Sequence, residues 1–245
     1  MKLRNQTAIV TGAGRGIGRA IALAFAREGA NLTLAARTSA EIDAVAEEIH
    51  SLGREALAVT TDVASKASVQ EMVAQTIDRF GHVDTLVNSA GVGGTSPIPK
   101  ITEELWDLNI AVNLKGVFLC TQAVFTHMCD RGSGHIVNVT SLADRKDGAN
   151  FGAYAAAKWG ARGFTGITRT EGRPYGVKAT LVAPGPVDTK MRRDHHRNED
   201  IKLGQPDDVA DLVMLAVTQS PAVSTHELTL HATSNPELEM LPHWE

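Results

Sequence analysis

The 245-residue chain has only two cysteines, Cys120 and Cys129. Both fall in one stretch that reads as a helix, which argues against a mutual disulfide. The expectation is two reduced thiols in a cytoplasmic protein. No apolar run approaches the ~20 residues of a membrane-spanning helix. Met1–Gln6 carries Lys2 and Arg4, but the apolar run behind it ends at Val10, too soon for a signal peptide. Basic charge is not in excess: 24 Lys and Arg against 28 Asp and Glu leave −4. With no basic appendage either, nucleic acid is not an expected partner. His195-His196 has no Cys or acidic set at zinc-like spacing beside it, so no metal is expected. Linkers, internal repeats and low-complexity segments are also missing. One domain spanning 1–245 is the reading, and 43% hydrophobic residues suffice for its core.

What is present is a regular alternation. Strands are expected at Thr7–Val10, Asn31–Ala36, Ala56–Thr60, Thr85–Asn88, Gly134–Thr140, Lys178–Ala183 and Glu227–Leu230. Helical spacing lies between them. One helix ends at Gly29 and one is capped by Ser39. Others run over about Ser65–Phe80, Thr102–Asn109, Val112–Asp130, Phe151–Glu171 and Asp207–Gln219. Alternation with short joints predicts an α/β fold: a doubly wound, seven-stranded parallel sheet with helices on both faces. The helix over Val112–Asp130 is apolar on several sides, so a partner subunit is expected to cover part of it.

Thr11-Gly12-Ala13-Gly14-Arg15-Gly16-Ile17-Gly18 joins the first strand to the first helix. Strand, glycine turn and helix start are the parts of a dinucleotide site. Glycines admit a tight turn and a close pyrophosphate. The helix start offers N–H groups and partial positive charge to phosphates.

Tyr154-Ala155-Ala156-Ala157-Lys158 resembles the active-site segment of the short-chain dehydrogenase/reductase family, and the likeness covers nearly the whole chain. Thr11–Gly18 resembles the family's T-G-x-x-x-G-I-G. Asn88-Ser89-Ala90-Gly91 resembles its N-N-A-G, with Ser89 replacing an Asn. Asn113 sits in Val112-Asn113-Leu114-Lys115-Gly116 as the family's active-site asparagine does, and Ser141 precedes Tyr154 at the family's spacing. Pro184-Gly185, with Val187 and Thr189, resembles its nicotinamide-side loop.

The resemblance implies a Rossmann fold and a catalytic set of Asn113, Ser141, Tyr154 and Lys158. Tyr154 would act as general acid–base, although a free phenol titrates near ~10. Lys158, four residues on, lies on the same helical face, and its charge would lower the Tyr154 pKa. The family also gives Lys158 a bond to the nicotinamide ribose. Ser141 would hold the substrate oxygen, and Asn113 would hold a water linking Lys158 to solvent.

The cofactor set is Gly12, Arg15, Gly16, Ile17, Gly18, Arg37, Asp62, Val63, Asn88, Ala90, Gly91, Tyr154, Lys158, Pro184, Gly185, Val187 and Thr189. The second strand ends in Ala35-Ala36-Arg37, with no Asp or Glu for a ribose 2′-hydroxyl. Arg15 and Arg37 can grip a 2′-phosphate from two sides. NADP(H) is therefore expected over NAD(H). Asp62 and Val63 match the adenine-contacting pair, and Asp62 can also serve as a helix cap.

The substrate end says less. Lys190–Asp200 is a short, highly charged segment where the family places its lid, over about 189–204. A solvated, open lid suits small carbonyl or alcohol substrates, and Arg192 or Arg193 meeting an anionic substrate is the second reading. Glu227–Ser234 lacks the V-D-G-G of ketoacyl reductases. An NADP(H)-dependent ketone or aldehyde reductase leads, with a 3-oxoacyl thioester reductase second. A catalytically silent NADP-binding regulator would be expected to lose one of the four catalytic side chains. A homodimer or homotetramer built on the helices over Val112–Asp130 and Phe151–Glu171 is expected.

Overall fold

Seven strands form one parallel sheet in the order β3-β2-β1-β4-β5-β6-β7 in the computed structural model, which describes residues 1–195 and 203–232. They are β1 (Thr7–Thr11), β2 (Asn31–Ala36), β3 (Ala56–Thr60), β4 (Thr85–Asn88), β5 (Gly134–Val139), β6 (Val177–Pro184) and β7 (Glu227–Leu230). Eight α-helices accompany them among the described residues: α1 (Gly16–Arg27), α2 (Ser39–Ser51), α3 (Lys66–Phe80), α4 (Glu103–Ile110), α5 (Gly116–Arg131), α6 (Gly152–Gly172), α7 (Lys190–His195) and α8 (Pro206–Val217).

The period of two along each strand builds two cores. Ala8 and Val10 of β1, Leu32 and Leu34 of β2, and Val137 and Val139 of β5 pack beneath α1, α2 and α8. Ile9, Ala35, Leu86 and Ile136 point the other way, toward α3 and α5. Polar side chains in the sheet are paired across these layers. Thr76 of α3 gives its proton to Met72 O at 2.7 Å, so Thr33 of β2 donates to Thr76 at 2.9 Å, and Asn138 of β5 donates to Thr165 of α6 at 2.8 Å. Both faces of the sheet are thus covered, as a parallel sheet requires.

Some local readings change. α4 and α5 are not separate: a π-helical segment, Ala111–Lys115, joins them into a 29-residue helix, Glu103–Arg131. The sequence reading of no run near membrane-spanning length is corrected accordingly. The most apolar 18-residue window of this helix has mean hydropathy 1.4, and half of it is buried within the fold. Its apolar character is explained by the sheet it covers. Ser39 begins α2 rather than capping it; Thr38 is the cap residue and makes no side-chain cap bond. Residues 190–195 of the charged segment form a short helix, while His196–Asp200, Thr233 and Ser234 lie outside the described residues. Cys120 is buried on α5, where desolvation pushes its thiol up to about 12; neither it nor Cys129 is bridged.

His135 of β5 is buried, with Nε2 2.9 Å from the Thr180 hydroxyl. Thr180 spends its proton on Thr225 O at 2.6 Å, so His135 is the donor. Burial, then the nearby Lys178, push its pKa down to about 4 from 6.5. The unfolded chain therefore binds a proton that the fold refuses. That contribution is complete above pH ~6.5 and is lost as pH falls toward ~4, by about 3 kcal/mol at most. Urea denaturation at pH 7 and pH 5 of the wild type and His135→Gln checks this. The variant should lose less stability on acidification; identical losses would contradict the assignment.

Candidate active site

The strand order reverses direction between β1 and β4, and a crevice opens beyond their carboxyl ends. Thr11, last in β1, lies opposite Asn88, last in β4. The Thr11 hydroxyl accepts the Ser89 and Ala90 N–H groups, both at 3.1 Å. Gly12 turns left-handed, at φ +68°, and a Cβ there would meet Ala90 Cα at 2.9 Å. A Cβ on Gly18 would lie 2.2 Å from Gly12 O, so the first turn of α1 packs directly on the glycine turn. Arg15, the residue before α1, makes no side-chain cap bond. First-turn N–H groups are thereby left for an anion.

A cleft of about 220 Å³ runs along this turn. One end is formed by Ala36, Arg37, Thr38 and Glu41, the middle by Gly12–Gly18, and the other end by Asn113, Tyr154 and Lys158. Arg15 and Arg37 both line this cleft. The strand end itself carries no acidic residue, but Glu41 of α2 brings a carboxylate to the first end of the cleft. The first turn of α2 hangs it over Gly14, where a Cβ would lie 2.7 Å from Glu41 Cβ, and its carboxylate pairs with Arg15 at 3.1 Å. Arg37 has no ion-pair partner among the described residues. Asp62 and Val63 also line the cleft. The Asp62 carboxylate holds the Ala64 N–H at 3.0 Å, whereas Ser65 caps α3, so Asp62 is not the cap. Val63 is buried against Gly116, where a Cβ would meet it at 2.9 Å.

Other expected positions sort differently. Asn88 is buried and absent from the cleft wall; Ser89, Ala90 and Gly91 form that wall instead. Asn88 Nδ2 reaches Asn138 Oδ1 at 2.8 Å and ties β4 to β5. The pleat explains this: the last residue of a strand still points into a layer. Pro184, Gly185 and Val187 line a second cavity, of about 390 Å³, rather than the cleft. Ile17, Tyr154 and Thr189 border both spaces. Ser141 faces the second cavity, so the expected catalytic side chains gather where the two meet.

Their geometry is specific. Tyr154 and Lys158 stand one turn apart on α6, with Lys158 Nζ 5.6 Å from the Tyr154 ring centroid. Nζ donates to Val139 O at 3.3 Å, and burial drops the Lys158 pKa to about 8, against a rise from Asp144. Burial raises the Tyr154 pKa, and a hydrogen bond with the Ser141 side chain partly offsets this. The expectation that Lys158 lowers the Tyr154 pKa is therefore corrected for the protein by itself: burial dominates, and Ser141 supplies the opposing pull. Asn113 sits in the π-helical segment, a geometry that often marks a functional position. Its amide is fully engaged, donating to Val92 O at 3.0 Å and Asn109 Oδ1 at 2.9 Å and accepting from Val92 N at 3.0 Å.

Asp144 escaped the sequence reading. Three residues past Ser141, it is wholly buried and accepts from the Thr140 hydroxyl and from Arg145 Nε, both at 2.6 Å. Arg145 and Arg162 reach on to Glu227 of β7 at 3.2 and 3.0 Å. These two arginines compensate the buried carboxylate and pin the Ser141 turn to the sheet edge. No spacing rule links Asp144 to Arg162 or Glu227; only the fold assembles them.

The chain matches the short chain dehydrogenase family model over residues 6–200. It is 38% identical over 223 residues to a hydroxy(phenyl)methylsuccinyl-CoA dehydrogenase subunit of Thauera aromatica, covering 87% of this chain and 90% of the relative. It is also 38% identical, over 227 residues, to a 3-oxoacyl-acyl-carrier-protein reductase of Synechocystis, covering 90% and 92%. A crystal structure of a metagenomic short-chain oxidoreductase in complex with NADP superposes with a TM-score of 0.84 at 35% identity, covering 96% of this chain and all of that one.

Proposed function

The chain belongs to the short-chain dehydrogenase family, and from that premise we propose that it is an NADP(H)-dependent oxidoreductase interconverting a ketone or aldehyde and an alcohol. The observation that supports this most is the meeting of Ser141, Tyr154 and Lys158 at the border between the glycine-floored cleft and the second cavity. The cleft suits a dinucleotide: a backbone-lined floor, a helix start without a side-chain cap, and two arginines in its lining. When bound, the nicotinamide supplies or accepts the hydride.

The protein's own residues handle the proton. In reduction, the neutral Tyr154 phenol, kept protonated by burial, donates to the carbonyl oxygen. The Ser141 hydroxyl, already bonded to Tyr154, turns to the same oxygen and opposes the charge that builds there. Lys158 holds an ammonium behind Tyr154 and carries a ready proton, since its pKa of about 8 sits near neutrality. Asn113 acts by position: it clamps Val92 and keeps Gly91 beside Lys158, where a Gly91 Cβ would stand 3.8 Å from Nζ. Along the same cleft, Arg37 and Arg15 would hold the 2′-phosphate, Arg15 beside the Glu41 carboxylate that it pairs with at 3.1 Å. Likeness to the Synechocystis reductase supports a second reading, reduction of a 3-oxoacyl thioester.

We also assign a homodimer or homotetramer contact to the outer surface of α4–α6. Trp106, Leu108, Phe118, Trp159 and Ile167 are exposed there, at 38–56%, and Phe118 stacks edge-on to Phe164 at 5.9 Å. Large apolar side chains grouped in this way mark an association surface. Sedimentation as a dimer or tetramer at micromolar concentration is the expected result; a monomer would contradict it.

Tyr154→Phe should abolish turnover, by at least about a hundredfold as general acid–base catalysis is worth. Binding of NADPH, measured by titration, should stay within a few-fold. Retained turnover would remove Tyr154 from the proton step. Arg37→Asp should raise the KM for NADPH at least about tenfold more than that for NADH, the worth of one charge-assisted bond. Equal effects on both cofactors would show that Arg37 does not meet the phosphate.

A further inference from the structure

The second cavity, of about 390 Å³, opens from Ser141 and Tyr154 away from the glycine turn. Much of its wall is apolar, built by Leu142, Phe151, Pro184, Val187 and Met191. Arg192, in the third position of α7, enters that wall and is half-buried. The charges around it are already matched. Lys190 pairs with Asp194 at 2.6 Å, and Arg193 pairs with Asp188. Lys190 faces the glycine-floored cleft instead. The Arg192 backbone N–H reaches the Thr189 hydroxyl at 3.3 Å, but its guanidinium has no hydrogen bond or ion pair among the described residues.

A guanidinium that loses water without gaining a partner destabilises the protein that carries it. Here the loss of water is enough to push its pKa downward. Lys146, from the turn after Ser141, brings a second cation to the same cavity, and Asp147 is the one carboxylate among its described lining residues. The excess positive charge lies on the substrate side, beyond the proton donor. Five N–H donors in a planar fork suit a pair of anionic oxygens.

We propose that Arg192 is a specificity residue that pairs with an anionic group, a carboxylate, on the carbonyl substrate, so that this enzyme reduces oxo acids in preference to neutral ketones. This rests on the carbonyl reductase reading above. The bond would sit at the cavity wall while the carbonyl oxygen meets Ser141 and Tyr154. It separates Arg192 from Arg193, which the sequence treats as equivalent.

The test compares an oxo acid with its methyl ester, and with a phosphorylated ketone of similar size, using the full chain and NADPH. The wild type should favour the acid over the ester in kcat/KM. Arg192→Gln should raise the KM for the acid about 10- to 100-fold, as loss of a charge-assisted bond implies. It should leave the ester and the KM for NADPH within about threefold, a margin of ~0.7 kcal/mol. Arg192→Lys should recover part of the loss. Stronger dependence on Arg192 for the phosphorylated ketone than for the acid would overturn the choice of carboxylate. Equal changes for acid and ester, or a wild type that favours the ester, would overturn the proposal altogether. Calorimetric titration with the acid separates this from the reductase reading. Binding that Arg192→Gln abolishes, with no turnover of any carbonyl by the wild type, would sink the reductase alone. Binding that is absent or indifferent to Arg192 would sink the specificity role.

Discussion

The joint between β1 and β4 governs the rest of the site. A parallel sheet that winds outward in both directions must part somewhere, and it parts where Thr11 and Asn88 end their strands. The Thr11 hydroxyl gathers two backbone N–H groups from the segment after β4, and Gly12 lets that segment approach within contact of the glycine turn. Gly18 then seats α1 on the Gly12 carbonyl. Without side chains at Gly12 and Gly18 the strand, the helix start and the Ser89–Gly91 wall can share one space. That space is the cleft, and its far end is where α6 delivers Tyr154 and Lys158.

Electrostatics at the far end depend on burial as much as on neighbours. Desolvation moves Tyr154 upward and Lys158 downward, so both favour their neutral forms more than in water. Asp144 works against the change at Lys158 and adds to the rise at Tyr154. Its own charge is tolerated because Arg145 and Arg162 surround it and share Glu227. The same four side chains anchor the turn that presents Ser141 to β7, at the edge of the sheet. The Ser141 hydroxyl and the charge balance behind it are therefore held by one network centred on the buried Asp144.

Most of the fold was legible because each layer leaves a periodic trace. β-branched runs and glycine stops placed all seven strands to within about two residues, an ordinary boundary error. The long helix was read as two because its π-helical segment shifts the apolar stripe at Ala111–Lys115. Cleft-lining residues carried by local motifs, such as Gly12–Gly18 and Tyr154 with Lys158, were equally readable. Those set by tertiary packing were not. Glu41 reaches Arg15 only because α2 folds back over Gly14, and Asp144 meets Arg162 only through the packing of α6 on the Ser141 turn. Asn88 shows the reverse: a motif position whose side chain points into the sheet layers and away from the cleft. Pro184, Gly185 and Val187 were assigned to the cofactor, yet line the neighbouring cavity.

Initial rates of NADPH and NADH oxidation against small ketones, aldehydes, diketones, oxo acids and a 3-oxoacyl thioester test the proposed NADPH-dependent carbonyl reduction most directly. Turnover of at least one carbonyl class with NADPH, and a higher kcat/KM for NADPH than for NADH, is the result predicted. Binding of NADPH with no turnover of any class would contradict the account and leave a silent cofactor binder.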